Sequence, residues 1–316
     1  MKNIKYILIA ALGLVACEPE FDNPVEDQQA SFTNGDADFS SYVSIGNSLT
    51  SGFADGALYL HGQENSFPNI LAGQFSLVGG GDFTQPLVSD NLGGLLLGGN
   101  QIAPNRLVLN AQSSPVEMTG SPTTEVTSAL TGPFNNVGVP GAKSYHLLAP
   151  GYGDPAGVSL GLANPYYARF ASSSTATVFE DAMANNPTFF TLWIGNNDIL
   201  SFATSGGVGV NQLGNIDPST YGPNDISDPN VVGGAIQNML TSLTGAGAKG
   251  VMCNIPSVTS IPYFTTVPHN AVPMDQATAD ATNASYAGYN TILDALTGSL
   301  LTPAEAASRK VNFTAG

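Results

Sequence analysis

The chain has 316 residues, of which 42% are hydrophobic and 10% are charged, so it is long enough to bury a sizeable core in one large or two ordinary domains. Its 24 acidic residues outnumber 8 Lys and Arg residues, which gives a formal net charge of -16 at pH 7. This charge argues against nucleic acid as a partner, because affinity for nucleic acid depends on cationic contacts to phosphate, and against binding anionic lipid by charge alone.

The first 17 residues have the layout of a secretion signal and not of a folded element. Two lysines precede an apolar run, residues 6–16, that is too short to span a bilayer as a mature helix. The run ends at Cys17, and the letters LVAC resemble the bacterial lipobox, whose cysteine becomes the lipidated first residue of the mature protein. We therefore predict a lipoprotein signal peptide over 1–17; the alternative is a plain signal peptide with an incidental cysteine.

Residues 18–37 are acidic and poor in large apolar side chains, which indicates a flexible tether. Acidic residues directly after Cys17 resemble a surface-export signal of Bacteroidota lipoproteins. We expect an exported protein that is anchored to the outer membrane through a lipid on Cys17, on its periplasmic or surface side. With Cys17 acylated, Cys253 has no intramolecular disulfide partner, and its apolar neighbours predict a small buried core residue in preference to a nucleophile.

Apolar runs and helix-like segments alternate from residue 38 onward. Strands are predicted over 41–45, 106–110, 187–195 and 248–256, and the third of these carries the strongest strand signal. Helices are predicted over 66–75, from about 142, over 175–185, from 229 and over 274–296. The helix that starts at 229 has Val232, Ile236, Met239 and Leu243 on one face. A Gly-rich loop or insertion is predicted over 78–100. Because nearly all-apolar strands alternate with helices, we predict an α/β fold with a parallel sheet covered on both faces.

Clusters of Gly, Asn and Ser follow three of these segments. They are GNS at 46–48, NNVGVPG at 135–141 and GNND at 195–198. In parallel-sheet folds, ligands bind at the carboxyl ends of the strands. Ser48 is therefore a candidate nucleophile, which needs a base for its proton and preorganised donors for the oxyanion that it creates. The N–H groups of Ser48 and Gly141 and the carboxamide of Asn197 are the candidate donors.

The three clusters resemble the motifs of the SGNH, or GDSL-type, hydrolase family. The matches are GNSLTSG with Gly46 and Ser48, and with Asn47 where the family usually has Asp; NVGVPGA with Gly141; and IGNNDIL with Gly195, Asn197 and Asp198. Their order and spacing also fit, and IPSVTSIPYFTTVP at 255–268 further resembles secreted Bacteroidota members. The resemblance spans roughly residue 38 to the end of the sequence.

This resemblance implies a flavodoxin-like three-layer α/β/α sandwich with long loop insertions and no metal or cofactor. It implies an esterase or lipase that cleaves carboxylic esters through an acyl-serine intermediate, with a small-molecule, lipid or glycan ester as substrate. The implied roles are Ser48 as nucleophile and Gly141 and Asn197 as oxyanion donors, with Gly46, Gly195 and Asp198 as supporting motif residues. The alternatives are a turn or cap serine at 48, a positive-φ turn at 141 and a helix cap at 197; Asp198 is interpreted as capping its own helix.

The general base is not identified. The family takes it from a late Asp-x-x-His motif, whereas the residues three before His61, His146 and His269 are Leu58, Lys143 and Thr266. The sequence also ends on an apolar run, which leads us to expect a truncated gene product. Residues 38–316 would then be the N-terminal part of a hydrolase domain, without the Asp-x-x-His segment and with impaired turnover.

Two other functions stay open. One is a lipoprotein that binds a ligand, glycan or lipid in the same crevice without turnover; the other is a structural surface lipoprotein, against which the three strand-end clusters argue. The letters GAGAKG at 245–250 formally match Gly-x-Gly-x-x-Gly. They follow a predicted helix and precede a predicted strand, the wrong order for a dinucleotide site, and so predict a helix-to-strand turn.

Overall fold

A computed structural model describes residues 32–267 and 272–316. The predicted signal peptide, the lipidation site Cys17, most of the tether and His269 lie outside the described residues. The sequence predicts one domain over 38–316, whereas contacts divide the chain into two compact units, of which the first ends at Ile255 and the second begins at Pro256.

The first unit is built on short strands. In chain order these are β1 (Tyr42–Gly46), β2 (Leu95–Leu97), β3 (Asn100–Gln101), β4 (Leu107–Leu109), β5 (Pro115–Glu117), β6 (Thr124–Glu125), β7 (Asn136–Gly138), β8 (Phe189–Trp193) and β9 (Lys249–Met252). Four of them form the main sheet, which is entirely parallel and has the order β7-β1-β8-β9. The others form two small sheets, β3-β2-β6 and β4-β5, within the long connection from β1 to β7.

Helices connect these strands. They are α1 (Ser48–Ser51), α2 (Leu60–Glu64), α3 (Phe67–Phe75), α4 (Pro155–Val158), α5 (Pro165–Ala168), α6 (Val178–Met183), α7 (Asn197–Thr204) and α8 (Pro229–Gly245). The predicted helix near 142 is a 3₁₀ turn over Ser144–Leu148. Ser66 precedes α3 as predicted, but its hydroxyl donates to Gln85 Oε1 (3.1 Å) and does not cap the helix.

Numbered along the chain, the four main-sheet strands have the order 2-1-3-4, which is the flavodoxin-like order. The α/β fold predicted from the sequence, a parallel sheet flanked by helices, is confirmed. The winding direction reverses between β1 and β8. A crevice at the carboxyl ends of the strands at such a reversal is where folds of this class bind ligands.

The two faces of the main sheet differ in chemistry. One face contributes to a buried hydrophobic cluster with Val43, Ile45, Val137, Phe190 and Leu192 from the strands and Met239 and Leu243 from α8. On the other face, the hydroxyls of Tyr42 and Ser44 form hydrogen bonds with Thr191 Oγ1 at 2.9 and 2.8 Å. These buried hydroxyls satisfy one another, so the polar face costs little to bury while it ties β1 to β8.

The Gly-rich segment at 78–100, predicted as a loop or insertion, lies in the long connection from β1 to β7 and contains β2 and the start of β3. Two strand predictions need correction. The predicted strand at 106–110 exists as β4, but it pairs with β5 and takes no part in the main sheet. The predicted buried strand at 248–256 is β9, whose four residues are all exposed. Among the described residues β9 pairs with β8 alone, so it lies at the edge of the main sheet.

Cys253 follows β9 and is only partly buried. Its N–H donates to Leu192 O (2.9 Å), and partial burial raises the pKa of the thiol. A raised pKa keeps the sulfur protonated, which does not favour a nucleophilic role. The expectation of a fully buried core cysteine is wrong, because edge strand β9 is exposed.

The second unit contains α9 (Pro262–Thr265), α10 (Gln276–Leu296) and α11 (Pro303–Arg309). The helix predicted over 274–296 is α10, and the carboxylate of Asp275 caps its start by accepting from Thr278 N–H (2.8 Å). Asn290 Nδ2 donates to Val311 O (2.8 Å), which ties the last residues of the chain to α10. Among the described residues, no helix combines the length and the apolar character needed to cross a bilayer.

We predict that Gly46→Ala lowers the free energy of unfolding by about 2 to 3 kcal/mol, because the added Cβ would overlap Thr50 Oγ1 and the carbonyl oxygen of Trp193. Gly73→Ala in α3 is the matched control, since a Cβ there has nothing within 4 Å, and it should gain about 0.5 to 1 kcal/mol. Urea unfolding of the purified proteins measures both. Equal midpoints for Gly46→Ala and the parent would contradict the packing argument.

Candidate functional site

The loops after β1, β7 and β8 meet at one edge of the main sheet. These strands are parallel neighbours, and Gly46 at the end of β1 pairs with Gly138 of β7 on one side and with Trp193 of β8 on the other. The three loops therefore start side by side at the carboxyl edge of the sheet. This is the edge at which the winding direction reverses between β1 and β8.

Hydrogen bonds join these loops pairwise. They are Val139 N–H to Gly46 O at 3.0 Å, Asn47 Nδ2–H to Asn196 Oδ1 at 3.4 Å, and Asn197 Nδ2–H to Ala142 O at 2.8 Å. Each loop is thus bonded to both of the others. Ser48 adjoins Asn47 and Gly141 adjoins Ala142, so the three candidate residues named from the sequence, including Asn197, belong to one cluster.

Ser48 is the first residue of α1 and is partly exposed. The side chain of the preceding Asn47 accepts from Leu49 N–H (3.1 Å) and so fixes the start of this short helix. In the part of the chain that the structure describes, neither the hydroxyl nor the N–H of Ser48 has a hydrogen-bond partner. The hydroxyl and the N–H of Ser48 are therefore available to bind a ligand. Asn47 fixes this loop through its carboxamide.

Gly141 lies on an exposed turn with φ at +79°, a conformation that favours glycine. Its N–H makes no hydrogen bond to any described residue. The turn is held from both sides: Asn164 Nδ2 donates to Pro140 O (2.8 Å) and Ala142 N–H donates to Val139 O (3.1 Å). Gly141 therefore combines the positive-φ turn with an N–H that has no partner among the described residues.

Asn197 is the first residue of α7, and its side chain does not cap that helix. A carbonyl oxygen accepts and never donates, so the atom that contacts Ala142 O is the NH₂ group. One of its two hydrogens is used in this bond. The second hydrogen makes no bond to any described residue and remains available as a donor.

Asp198 has a different role from the predicted helix cap. Its buried carboxylate accepts from the N–H of Ser144 (2.8 Å) and from the Ser144 hydroxyl (3.0 Å), 54 residues away in sequence. Burial raises the pKa of Asp198, and the Ser144 bonds and the charge of Lys143 oppose that shift. Asp198 therefore anchors the loop that carries Gly141. Gly195, which begins the motif, has φ at +111° and turns the chain from β8 toward α7.

Lys143, which was not singled out from the sequence, is buried two residues after Gly141. Its Nζ donates to Asp225 O (2.8 Å) and Gly222 O (3.5 Å), and burial lowers its pKa while the carboxylates of Asp198 and Asp225 oppose the shift. The only sequence signal was a lone lysine beside a motif in a chain with few cations.

Neither described histidine is arranged as a base for Ser48. His146 Nδ1 accepts from Lys143 N–H (3.1 Å), so the neutral ring carries its proton on Nε2 and has no free lone pair. Burial, helped by the charge of Lys143, lowers the pKa of His146 to about 4. The His61 side chain is 69% exposed and lies 4.0 Å from Glu64. His61 is thus a surface residue of helix α2, whereas His146 is a partly buried residue of the 3₁₀ turn Ser144–Leu148.

An open cavity of about 1110 Å³ includes Gly141 in its lining. It continues along the 3₁₀ turn after Lys143 to Tyr221 and the first turns of α8. Ser48 and Asn197 are not among its lining residues. The cavity thus adjoins the cluster of free donors at one point, the backbone of Gly141.

Comparison with protein-family models, curated proteins and solved structures finds no match. Among the described residues, no group of three or more His, Cys, Asp and Glu side chains is placed to hold a metal ion. The functional argument therefore depends on the geometry of the loops themselves.

We predict that His146 makes stability depend on pH. The unfolded chain takes up this proton near the ordinary value of 6.5 and the folded chain only near 4. In this window the unfolded state binds more protons, so the contribution is fully present above about pH 6.5 and is lost as pH falls toward 4. The loss is at most about 3 kcal/mol, and less to the extent that solvent reaches the ring.

Unfolding free energies at pH 7 and 4.5 test this prediction. His146→Gln should lose less stability than the parent between the two pH values. His61→Gln, which removes an exposed imidazole, is the matched control and should keep the parental difference. If His146→Gln loses as much stability as the parent between the two pH values, the pKa of His146 is the same in the folded and unfolded states and the prediction is wrong.

Proposed function

We propose that this chain is a serine hydrolase of the SGNH type that acts on carboxylic ester bonds. Ser48 is the nucleophile, and the oxyanion donors are the N–H groups of Ser48 and Gly141 and the carboxamide of Asn197. One observation carries the proposal: the three loops that hold these groups are hydrogen-bonded pairwise at the carboxyl edge of the sheet.

In the proposed reaction, Ser48 Oγ attacks the ester carbonyl carbon and loses its proton to a base. The carbonyl oxygen becomes an oxyanion, which accepts hydrogen bonds from the preorganised donors. Collapse of this intermediate breaks the bond to the alcohol, which leaves with a proton, and forms an acyl-serine. Water then attacks the acyl-serine, releases the carboxylic acid and restores the Ser48 hydroxyl.

The step with the least structural support is the transfer of the Ser48 proton to a base. His146 holds its proton on the wrong nitrogen for a base, and His61 is an exposed residue of α2. Because neither histidine of the described residues can serve Ser48 as a base, we propose that turnover is slow. Loss of a triad member typically leaves only the rate that oxyanion donors and binding supply.

The proposal includes attachment to the outer membrane through Cys17 and an ester substrate of small-molecule, lipid or glycan type. Both statements rest on the sequence and its resemblance to the family. No nucleic-acid partner is proposed, because the net charge is -16.

Binding without turnover is the second candidate function. Two observations favour it: the large cavity touches Gly141 but is not lined by Ser48, and the described histidines leave the serine without a base. A lipoprotein that only captures a ligand would need the cavity and not the nucleophile. Covalent labelling of Ser48 separates the two functions.

We predict that a fluorophosphonate probe labels Ser48, because the free hydroxyl lies beside donors that stabilise the developing charge at phosphorus. Mass spectrometry of the labelled peptide should place the adduct on residue 48, and Ser48→Ala should abolish labelling. Ser76→Ala, which removes a hydroxyl from an exposed 3₁₀ turn, is the control and should label like the parent. Absence of an adduct at Ser48 under prolonged exposure would favour the ligand-binding function.

We predict that Asn197→Ala slows labelling of Ser48 by about 10²- to 10³-fold, the usual cost of one oxyanion donor. Asn100→Ala is the control, since this exposed asparagine of β3 makes only a long side-chain bond to Gly98 O (3.4 Å), and it should change the rate by less than about threefold. Second-order labelling rates of proteins shown to be folded by circular dichroism provide the measurement. Equal rates for both variants would remove Asn197 from the oxyanion site.

A further inference from the structure

Two loops expose aliphatic side chains on one side of the first unit. Residues 159–163 follow α4, and residues 206–216 come after α7. One residue from each loop lines the cavity described above, so the two loops are neighbours in space. Six large side chains of these loops are each between 58% and 73% exposed: Leu160, Leu162, Val208, Val210, Leu213 and Ile216. Single exposed apolar residues are ordinary, whereas six on two neighbouring loops mark an interaction surface. We call these two loops the apolar rim.

Hydrogen bonds hold the backbone of the apolar rim in place. In the second loop, the N–H of Val210 donates to the carboxylate of Asp225 (2.8 Å), and the Val210 carbonyl accepts from Ile226 N–H (2.9 Å). In the first loop, Leu162 N–H donates to Gly157 O (3.0 Å). The loops are therefore fixed at the points where they carry apolar side chains, and they present these side chains to solvent as a preformed surface.

The composition of the apolar rim favours an uncharged lipid surface as its partner. Neither loop contains a charged residue, so the rim offers no ionic attraction to a protein or to anionic lipid. Its six exposed side chains are Val, Leu and Ile, whereas the strong contacts between proteins are rich in Trp, Tyr and Arg and poor in Leu and Val. Aliphatic side chains of this kind are favourable in the hydrocarbon of a bilayer. Asp217 directly follows the rim, and hydrogen bonds from the hydroxyl and the N–H of Ser219 lower its pKa, so it stays ionised and disfavours anionic lipid.

We infer that the apolar rim inserts into the surface of a bilayer without net charge, such as one of phosphatidylcholine. The two loops come after β7 and β8, so the carboxyl edge of the main sheet then faces the bilayer. The inference rests neither on the proposed hydrolase nor on acylation of Cys17, because it uses only the exposure, the composition and the hydrogen bonds of the two loops.

A tether by itself would present the opposite edge of the sheet. Lys249 begins β9, and its Nζ donates to Asp36 O (2.6 Å), so the described residues before β1 lie at the amino edge. A chain held only through its first residues would bring this amino edge nearest to the membrane. Residues 17–32 can span at most about 50 Å, and a unit of this size is about 45 Å across. Either edge can therefore reach the bilayer, and contact of the rim distinguishes docking from tethering.

Single tryptophans locate the contact. The chain has one tryptophan, and Trp193→Phe removes it. In this background, Leu162→Trp and Leu213→Trp each place one tryptophan in the rim. Leu77→Trp is the matched control: Leu77 is 51% exposed and lies near the amino edge, because the loop that follows it is hydrogen-bonded to Phe39.

The experiment uses the full chain bound to phosphatidylcholine vesicles, with and without bromine on the acyl chains. Bromine quenches tryptophan fluorescence only at short range, and interfacial side chains lie about 5–10 Å deep, so we expect at least about twofold stronger quenching for both rim variants than for Leu77→Trp. Replacing about a third of the lipid by phosphatidylglycerol should not strengthen the quenching, because the rim has no cation. Circular dichroism checks the fold of each variant. If Trp193→Phe is not folded, the same substitutions are made in the parent and the parental signal is subtracted.

Equal quenching at the three positions, stronger quenching at Leu77→Trp, or a chain that does not float with the vesicles would each overturn the inference. Unquenched rim tryptophans on vesicle-bound chains would indicate that the rim meets a protein instead of lipid. Labelling of Ser48 is a separate readout, so the rim and the proposed hydrolase can each fail without the other.

Discussion

The close packing of β1 between β7 and β8 is the constraint on which the candidate site depends. Gly46 ends β1 where Thr50 of α1 and the carbonyl of Trp193 occupy the space that a side chain would fill. Gly138, its partner on β7, likewise leaves room for the backbone of α1 at Ser51. Since neither strand end has a side chain, α1 packs directly on the sheet. Ser48 is therefore held at the level where the other two loops emerge.

Burial of two opposite charges fixes the second loop. Burial raises the pKa of Asp198 and lowers that of Lys143, so each charge is costly by itself. Asp198 accepts two hydrogen bonds from Ser144, and Lys143 donates to two carbonyls, which offsets part of this cost. The turn at Gly141 lies next to these anchors. A rigid turn keeps its N–H in one direction, which is what preorganised stabilisation of an oxyanion requires.

The candidate site has several hydrogen-bond donors for a negative charge, but none of its described histidines is arranged as a general base. In the proposed reaction, the donors of Ser48, Gly141 and Asn197 stabilise a negative oxygen, whereas the His146 ring uses its only lone pair on the backbone of Lys143. The His146 imidazole instead stacks on the ring of Tyr152. The same loop thus carries Gly141, the proposed oxyanion donor, and residues that line the cavity.

Local sequence signals determined the elements of the fold. Asp228 and Pro229 begin α8, Met239 and Leu243 are buried on its apolar face, and the apolar run at 187–195 forms the central strand β8. The alternation of such elements was enough to predict a parallel α/β fold. The three strand-end clusters were also enough to name Ser48, Gly141 and Asn197, because parallel strands end at one edge.

Only the tertiary structure decided which distant groups meet. The partner of Asp198 is Ser144, the partners of Lys143 are carbonyls near 225, and β4 pairs outside the main sheet although its sequence resembles that of a core strand. The exposure of β9 and the cavity lined by the 3₁₀ turn and α8 also depend on tertiary contacts and could not be predicted from the local sequence. Propensity and periodicity act over a few residues, whereas these features depend on which surfaces the folded chain brings into contact.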